Sequence, residues 1–269
     1  MIQEFIKYQK QVRGLSLGTC WEYQKNLRYF TEWARPRGLR WSTIWKSDID
    51  CWTMEMKTSG LQAATIKQRI STLRTFFDWL VHEGKLEMNP ARYCQTPKLA
   101  EKLPKEADLS LVDEFLSQQA LTAKAKAVHM LTAIIVETGC RLNEAIAIKK
   151  SDFRNGGIII KGKGSRERMV FYGQRTINAI RAYAPAGNEL FAGWTDTAIR
   201  YTMYETLGRL CPRVHPHQLR HTFAMESLNA GLAINELSQL LGHKSITTTQ
   251  IYARAATKTL ENHYHQIHK

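Results

Sequence analysis

The chain has 269 residues, 43% of them hydrophobic, and a formal net charge of +14. That length suits one large or two modest domains, and the apolar content supports packed cores, which excludes a disordered or fibrous chain. The charge leaves the fold open but predicts attraction to a polyanion, most commonly nucleic acid.

The start, Met1 to Gln11, carries Glu4, Lys7 and Lys10 and has no apolar stretch of the kind a signal peptide needs. Residues 1–90 read as mostly helical. Trp21, Leu27, Tyr29, Phe30 and Trp33 fall largely on one face of a helix over Thr19–Trp33, and Trp21, Trp33, Phe76, Phe77 and Trp79 read as core. Ser47 and Asp48 read as N-cap signals for a helix through Ile49, Trp52 and Met56. Ala63–Leu80 is a long helix with Ile66, Ile70, Leu73, Phe76, Phe77 and Leu80 at helical spacing; Lys67, Arg69 and Arg74 occupy its other face. Residues 91–105 read as a basic linker containing Pro97 and Pro104, with Arg92, Lys98, Lys102 and Lys105 set against Glu101.

A second domain starts at residue 106. Leu109–Gln118 and Ala123–Thr138 read as helices, the second ended by Gly139, a usual site for positive φ. A helix starts at Arg141. The period then changes. Residues 157–160, the turn Gly162-Lys163-Gly164-Ser165 and residues 168–172 read as a β-hairpin. Helices return at Ile177–Tyr183, Thr197–Leu210, His217–Ala230 (with Pro216 as its first residue), Ile234–Leu241 and Ile246–Ala253. The fold class expected is mainly α with a small antiparallel β-sheet. Val128–Val136, the most apolar stretch, is too short to span a bilayer. The cysteines, Cys20, Cys51, Cys94, Cys140 and Cys211, are odd in number and widely spaced. They argue against a disulfide framework or zinc knuckle and fit a reducing cytoplasm.

Four patterns carry chemistry: Thr138-Gly139-Cys140-Arg141-Leu142-Asn143-Glu144, Gly162-Lys163-Gly164, His217-Gln218-Leu219-Arg220-His221, and Leu241-Gly242-His243 with Tyr252 following. A phosphodiester under attack gains negative charge on its non-bridging oxygens, which Arg141 and Arg220 could clamp through charge-assisted hydrogen bonds. Preorganised donors of this kind contribute roughly 3–4 kcal/mol each in a transition state. Lys163 could protonate the leaving oxygen, although Lys161 and Arg166 share its turn. Imidazoles at His217 and His243 could bond the phosphate or relay a proton, and Tyr252 is an apt nucleophile. His217 and Arg220 are three apart on one helix face, at a helix start where amide dipoles favour a phosphate. Glu144 could orient Arg141 or cap the helix start. His217 and His221 also have the spacing of a metal-ligand pair, but no carboxylate-rich shell or cysteine pair accompanies them, so no metal is expected.

Together the T-G-x-R-x-x-E box, the glycine-flanked lysine, the H-x-x-R-H box and the L-G-H…Y box resemble the tyrosine recombinases, or phage integrases, in a compact Xer-like form. The resemblance covers about residues 106–269, and residues 1–90 look like the family's helical, SAM-like core-binding domain. It implies an active site of Arg141, Lys163, His217, Arg220 and His243 around the nucleophile Tyr252; it selects Lys163 within the turn, and Tyr252 over Tyr264. It implies a site-specific recombinase working through a 3′-phosphotyrosine and a Holliday junction, in integration, excision, inversion or resolution, with no cofactor. The partners implied are duplex DNA with specific core sites and a tetramer of copies, residues 253–269 docking on a neighbour. With no arm-type domain expected ahead of residue 1, the resemblance implies simple core sites. With recombination accepted, Lys67, Arg69, Arg74, Lys98, Lys102 and Arg166 become DNA-contact candidates. A cytoplasmic location is expected. A catalytically silent DNA-binding regulator and a type IB topoisomerase are the competing readings.

Overall fold

The computed structural model describes residues 1–98, 106–162, 167–183, 187–210, 214–243 and 249–252. The chain separates into two compact units, Met1–Glu101 and Lys102–Lys269.

The first unit contains α1 (Ile2–Gln11), α2 (Leu17–Ala34), α3 (Lys46–Thr58) and α4 (Ala63–His82). Its core is aromatic. The rings of Trp41 and Phe76 lie 4.6 Å apart, and those of Phe30 and Trp52 4.9 Å apart, both edge to face, the arrangement that ring quadrupoles favour. Local chemistry sets the helix starts. The Ser16 hydroxyl accepts from Thr19 N and caps α2. α3 corrects an expectation: Trp45 is its N-cap, and Asp48 acts from the third helical position, its carboxylate accepting from Trp45 N at 2.8 Å. Trp21 is a second correction. It is 59% exposed, because the buried stripe of α2 runs through Cys20, Leu27, Phe30 and Ala34. Part of the basic segment is also core: Ala91 and Cys94 are buried against this unit's hydrophobic residues.

The second unit is built around α6 (Ala123–Thr138), buried along most of its length, with α5 (Leu109–Ser117) packed on it. α7 (Leu142–Ile146) leads to an antiparallel sheet in the order β1 (Phe153–Arg154), β2 (Gly157–Lys161), β3 (Glu167–Phe171). β1 was not anticipated: two residues are too few for an alternating pattern. Then follow α8 (Gln174–Tyr183), α9 (Asp196–Leu210), α10 (Pro216–Asn229), α11 (Ile234–Leu241) and a helical segment at 249–252, the described part of the stretch expected as a helix over 246–253. α8 starts earlier than its apolar spacing suggests because Glu137, from α6, accepts from Gly173 N, Arg175 N and Thr176 N. Gly139 ends α6 at φ 63°, and a Cβ there would lie 2.2 Å from Phe223 Cδ1, so both conformation and space require glycine. The result is the mainly helical fold with a small antiparallel sheet that the sequence pattern anticipates. Among the described residues no helix is long and apolar enough to cross a membrane.

Candidate active site

Two chain turns and two helix ends converge in the second unit. Gly139 turns the chain out of α6 and delivers Arg141 as the N-cap of α7. Glu144 does both things its position suggested. Its Oε2 accepts from Arg141 N, closing the first turn, and its Oε1 accepts from Arg141 Nη1, each at 2.9 Å. Burial raises the Glu144 pKa, but the hydrogen bonds from Arg168 and from Arg141 N outweigh it, so the carboxyl lies below its ordinary value.

Pro216 opens α10 and carries His217 and Arg220 round its first turn. They share a helix face but not an environment: His217 is exposed and Arg220 is 4% exposed. The buried guanidinium is fully directed. Nη1 donates to Gly139 O at 2.6 Å, and Nη2 donates to Leu241 O at 2.8 Å and to His243 Nε2 at 2.9 Å. Burial, then repulsion from Arg141, lowers its pKa to about 10, which leaves it charged at neutral pH.

Arginine has no acceptor, so His243 Nε2 must accept and Nδ1 must hold the ring hydrogen, which points at Thr249 Oγ1, 2.7 Å away. Burial and the Arg220 charge push His243 down to about 4, and burial with the neighbouring His217 does the same to His221. His217 is lowered as well, by partial desolvation of its ring despite its exposed edge and then by the charges of His215, Arg220 and Arg141. These imidazoles are neutral near pH 7, and the site's positive charge resides on its arginines.

Tyr252 completes the cluster. Its phenol oxygen is 2.7 Å from His221 Nδ1, and its ring stacks parallel to that of His243 at 6.5 Å. It is 3% exposed. Burial raises its pKa, opposed by the charges of Arg220 and Arg141. Arg220, His243 and Tyr252 are thus joined through named contacts, the Arg141–Glu144 pair lies close enough for the Arg141 charge to act on Arg220 and Tyr252, and His217 is at the rim. Lys163 lies outside the described residues, as do Arg166, Lys102 and residues 253–269. Lys161, the rival of Lys163, is paired with Asp152 at 3.0 Å.

Arg168, which bonds Glu144, and Thr249, which fixes the His243 tautomer, were not singled out in the sequence, and His221, weighed there only as a metal ligand, touches the phenol instead. A signal existed for the first, since alternation along β3 places Arg168 on the same face as the buried Val170. Among the described residues no cluster of His, Cys, Asp and Glu could hold a metal ion.

The first unit treats its basic residues differently. Arg69 lies over the Tyr29 ring at 4.1 Å and donates to Met56 Sδ. Arg74 donates through Nε to Ala91 O at 3.1 Å and also bonds Cys94 O, so it ties down the segment after α4. Lys67 and Lys98 are exposed.

The phage integrase family profile matches residues 105–259, and the phage integrase N-terminal SAM-like domain profile matches residues 2–84. Tyrosine recombinase XerC of Yersinia pestis is 30% identical over 284 residues, covering 99% of this chain and 94% of XerC. Tyrosine recombinase XerC of Escherichia coli O157:H7 is 28% identical, with 99% and 95% covered. In fold, the chain is similar to XerH site-specific recombinase bound to a palindromic difH substrate in a post-cleavage complex. That match has a TM-score of 0.73 and 21% identity, over 100% of this chain and 85% of XerH. A lambda integrase dimer bound to a COC′ core site gives 0.71 and 17%, with 93% of each chain covered. The chain belongs to the phage integrase family, as a tyrosine recombinase of the compact Xer-like form.

Proposed function

We propose that this protein catalyses site-specific DNA recombination, cleaving and rejoining duplex DNA with Tyr252 as nucleophile. The observation that carries the reading is the placement of the Tyr252 phenol beside His221 and over His243, whose Nε2 is bonded to Arg220. The nucleophile and the anion-binding charge occupy one pocket.

The chemistry balances without a cofactor. Tyr252 Oη forms a bond to phosphorus as the bond from phosphorus to the 5′ oxygen breaks. The phenol's proton passes to a neighbouring neutral imidazole, His221 being the one in contact, and the 5′ oxygen takes a proton from Lys163. Arg141 and Arg220 bind the non-bridging oxygens and stabilise the charge that grows on them. The 3′-phosphotyrosyl ester conserves the energy of the broken bond, so a 5′ hydroxyl can reverse the step and reseal the strand. His217 and His243 flank the phosphate.

Relatives that are recombinases over the full chain favour this reading over a silent regulator or a topoisomerase. The partners are duplex DNA and further copies of the chain. The finer assembly is four copies on two DNA sites, exchanging strands through a Holliday junction, residues 253–269 of each docking on a neighbour. A cavity of about 490 Å³, lined by Val170, Phe171, Phe223 and Leu232 and also by Glu137 and Glu236, suits a docked segment that carries both apolar and basic side chains. The free Cys20, Cys51, Cys94 and Cys140 fit a cytoplasmic location.

The test uses a nicked duplex carrying the sequence this protein enriches from a random-sequence pool. Wild type should give a denaturant-stable protein–DNA adduct and Tyr252→Phe none. An adduct that survives Tyr252→Phe, or wild type that binds the duplex and gives none, overturns the assignment.

A further inference from the structure

Arg168 takes no part in the chemistry above, yet it touches the segments that carry it. It sits opposite Ile160 in the register of β2 and β3, on the strand that follows Lys163 in the chain. Its side chain is 13% exposed. Nη2 donates to Glu144 Oε2 at 2.7 Å and Nε donates to Leu240 O at 2.6 Å. Each partner stands one step from a reacting group. Glu144 also holds Arg141, and Leu240 lies in the last turn of α11, just before Gly242 and His243. Gly242 turns at φ 64°, and a Cβ there would lie 2.9 Å from Arg168 Nη1. The guanidinium therefore occupies the space that any side chain at this turn would need.

We propose that Arg168 is a positioning residue for strand cleavage, holding Arg141 by way of Glu144 and His243 by way of the end of α11. The inference rests on the active-site reading above. Net stability explains such a bridge poorly, because a buried ion pair gains little over an apolar replacement. Geometry explains it better. A planar guanidinium donates along two fixed directions at once, which lysine cannot do. Arg141 and His243 reach the site from elements far apart in sequence, and the Arg168 fork connects them. A misplacement of about 1 Å at a reacting group costs on the order of 10²-fold in rate.

The test measures single-turnover adduct formation on the nicked duplex together with duplex Kd and thermal melting, for Arg168→Gln, Arg168→Lys, Glu144→Gln and the Arg168→Gln/Glu144→Gln double variant. Cleavage should fall ten- to hundredfold in Arg168→Gln and less in Arg168→Lys, with Kd within threefold of wild type. The double variant should lose less than the product of the single losses. If Arg168→Gln fails to fold, Arg168→Lys decides by the same comparison of rate against Kd. Folded variants cleaving at the wild-type rate, losses that follow Kd, or single losses that multiply in full would overturn the proposal. Wild type and Tyr252→Phe run alongside. If wild type gives no adduct, the active-site reading falls and this inference with it; if wild type gives one and the Arg168 variants match it, only the role of Arg168 falls.

Discussion

Three cations of the N-terminal unit lie over rings, Arg37 over Trp33 at 4.4 Å, Arg69 over Tyr29 at 4.1 Å and Lys25 over Trp21 at 4.8 Å, while Arg74 is tied to the Ala91 and Cys94 carbonyls. The catalytic unit instead binds Arg220 to Gly139 O and Leu241 O, and Arg168 to Leu240 O and Glu144. A ring face accepts a cation over a wide range of approach, and an exposed pair of this kind contributes roughly 0.5–1 kcal/mol. A helix-end carbonyl accepts along a narrow range of directions, and leaving it buried and unpaired costs about 1–3 kcal/mol. The first arrangement tolerates movement of the charge. The second holds it in place, as a transition-state clamp requires.

The largest expected effect comes from Arg220→Ala. Two carbonyls and His243 lose their donor and the phosphate loses one of its guanidiniums, so cleavage per folded molecule should drop by at least about 10²–10³-fold. Single-turnover assays normalised to folded protein by circular dichroism check this, and a loss below tenfold would end the contrast between the units. Next are two glycines with nearly the same backbone angle in different surroundings. Gly139→Ala combines left-handed strain with a Cβ driven into Phe223, and should cost about 2–4 kcal/mol. Gly14→Ala, at φ 62° with open space around it, should cost only about 1 kcal/mol. Urea unfolding separates the two, and equal costs would mean that packing at Gly139 is slack.

Acidification is a milder probe. The folded-state pKa values of His221 and His243, about 4, lie below the ordinary 6.5, so the unfolded chain binds more protons between those values. Their contribution is present above pH 6.5 and is lost as pH falls toward 4. By pH 5 this amounts to about 1–2 kcal/mol per ring, since both are half-buried. Amide exchange in α10, compared at pH 7.5 and pH 5 after correction for intrinsic rates, reads it; unchanged protection would refute it. The smallest effect is Arg69→Ala, expected to cost no more than about 1 kcal/mol in urea unfolding. A loss near 3 kcal/mol would show that a cation over a ring is held as firmly as one bonded to carbonyls.

Features that repeat along the chain were legible in the sequence. The stripe Ile66, Ile70, Leu73, Phe76, Phe77 and Leu80 identifies α4, and Pro216 marks the start of α10. The boxes identified the residues that meet at Arg220 and Tyr252, because each box is local. Features made by pairs distant in the chain were hidden. Glu137 caps α8 across 36 to 39 positions, Arg168 reaches Leu240 across 72, and the Tyr252 phenol finds His221 across 31. No spacing rule records these, since the chain between them sets the distance. Ser47 and Asp48 were misread for a subtler reason: a carboxylate suits both the N-cap and the position three residues on, and only the backbone decides which residue is the cap.

The bond from Arg220 to Gly139 O spans 81 residues, and those to Leu241 and His243 run forward along the chain. During translation, therefore, the guanidinium emerges from the ribosome before the carbonyl and imidazole that will hold it. A nascent chain can bury its first aromatic core while its cutting centre is still in pieces, and DNA met during synthesis encounters a protein that cannot yet break it.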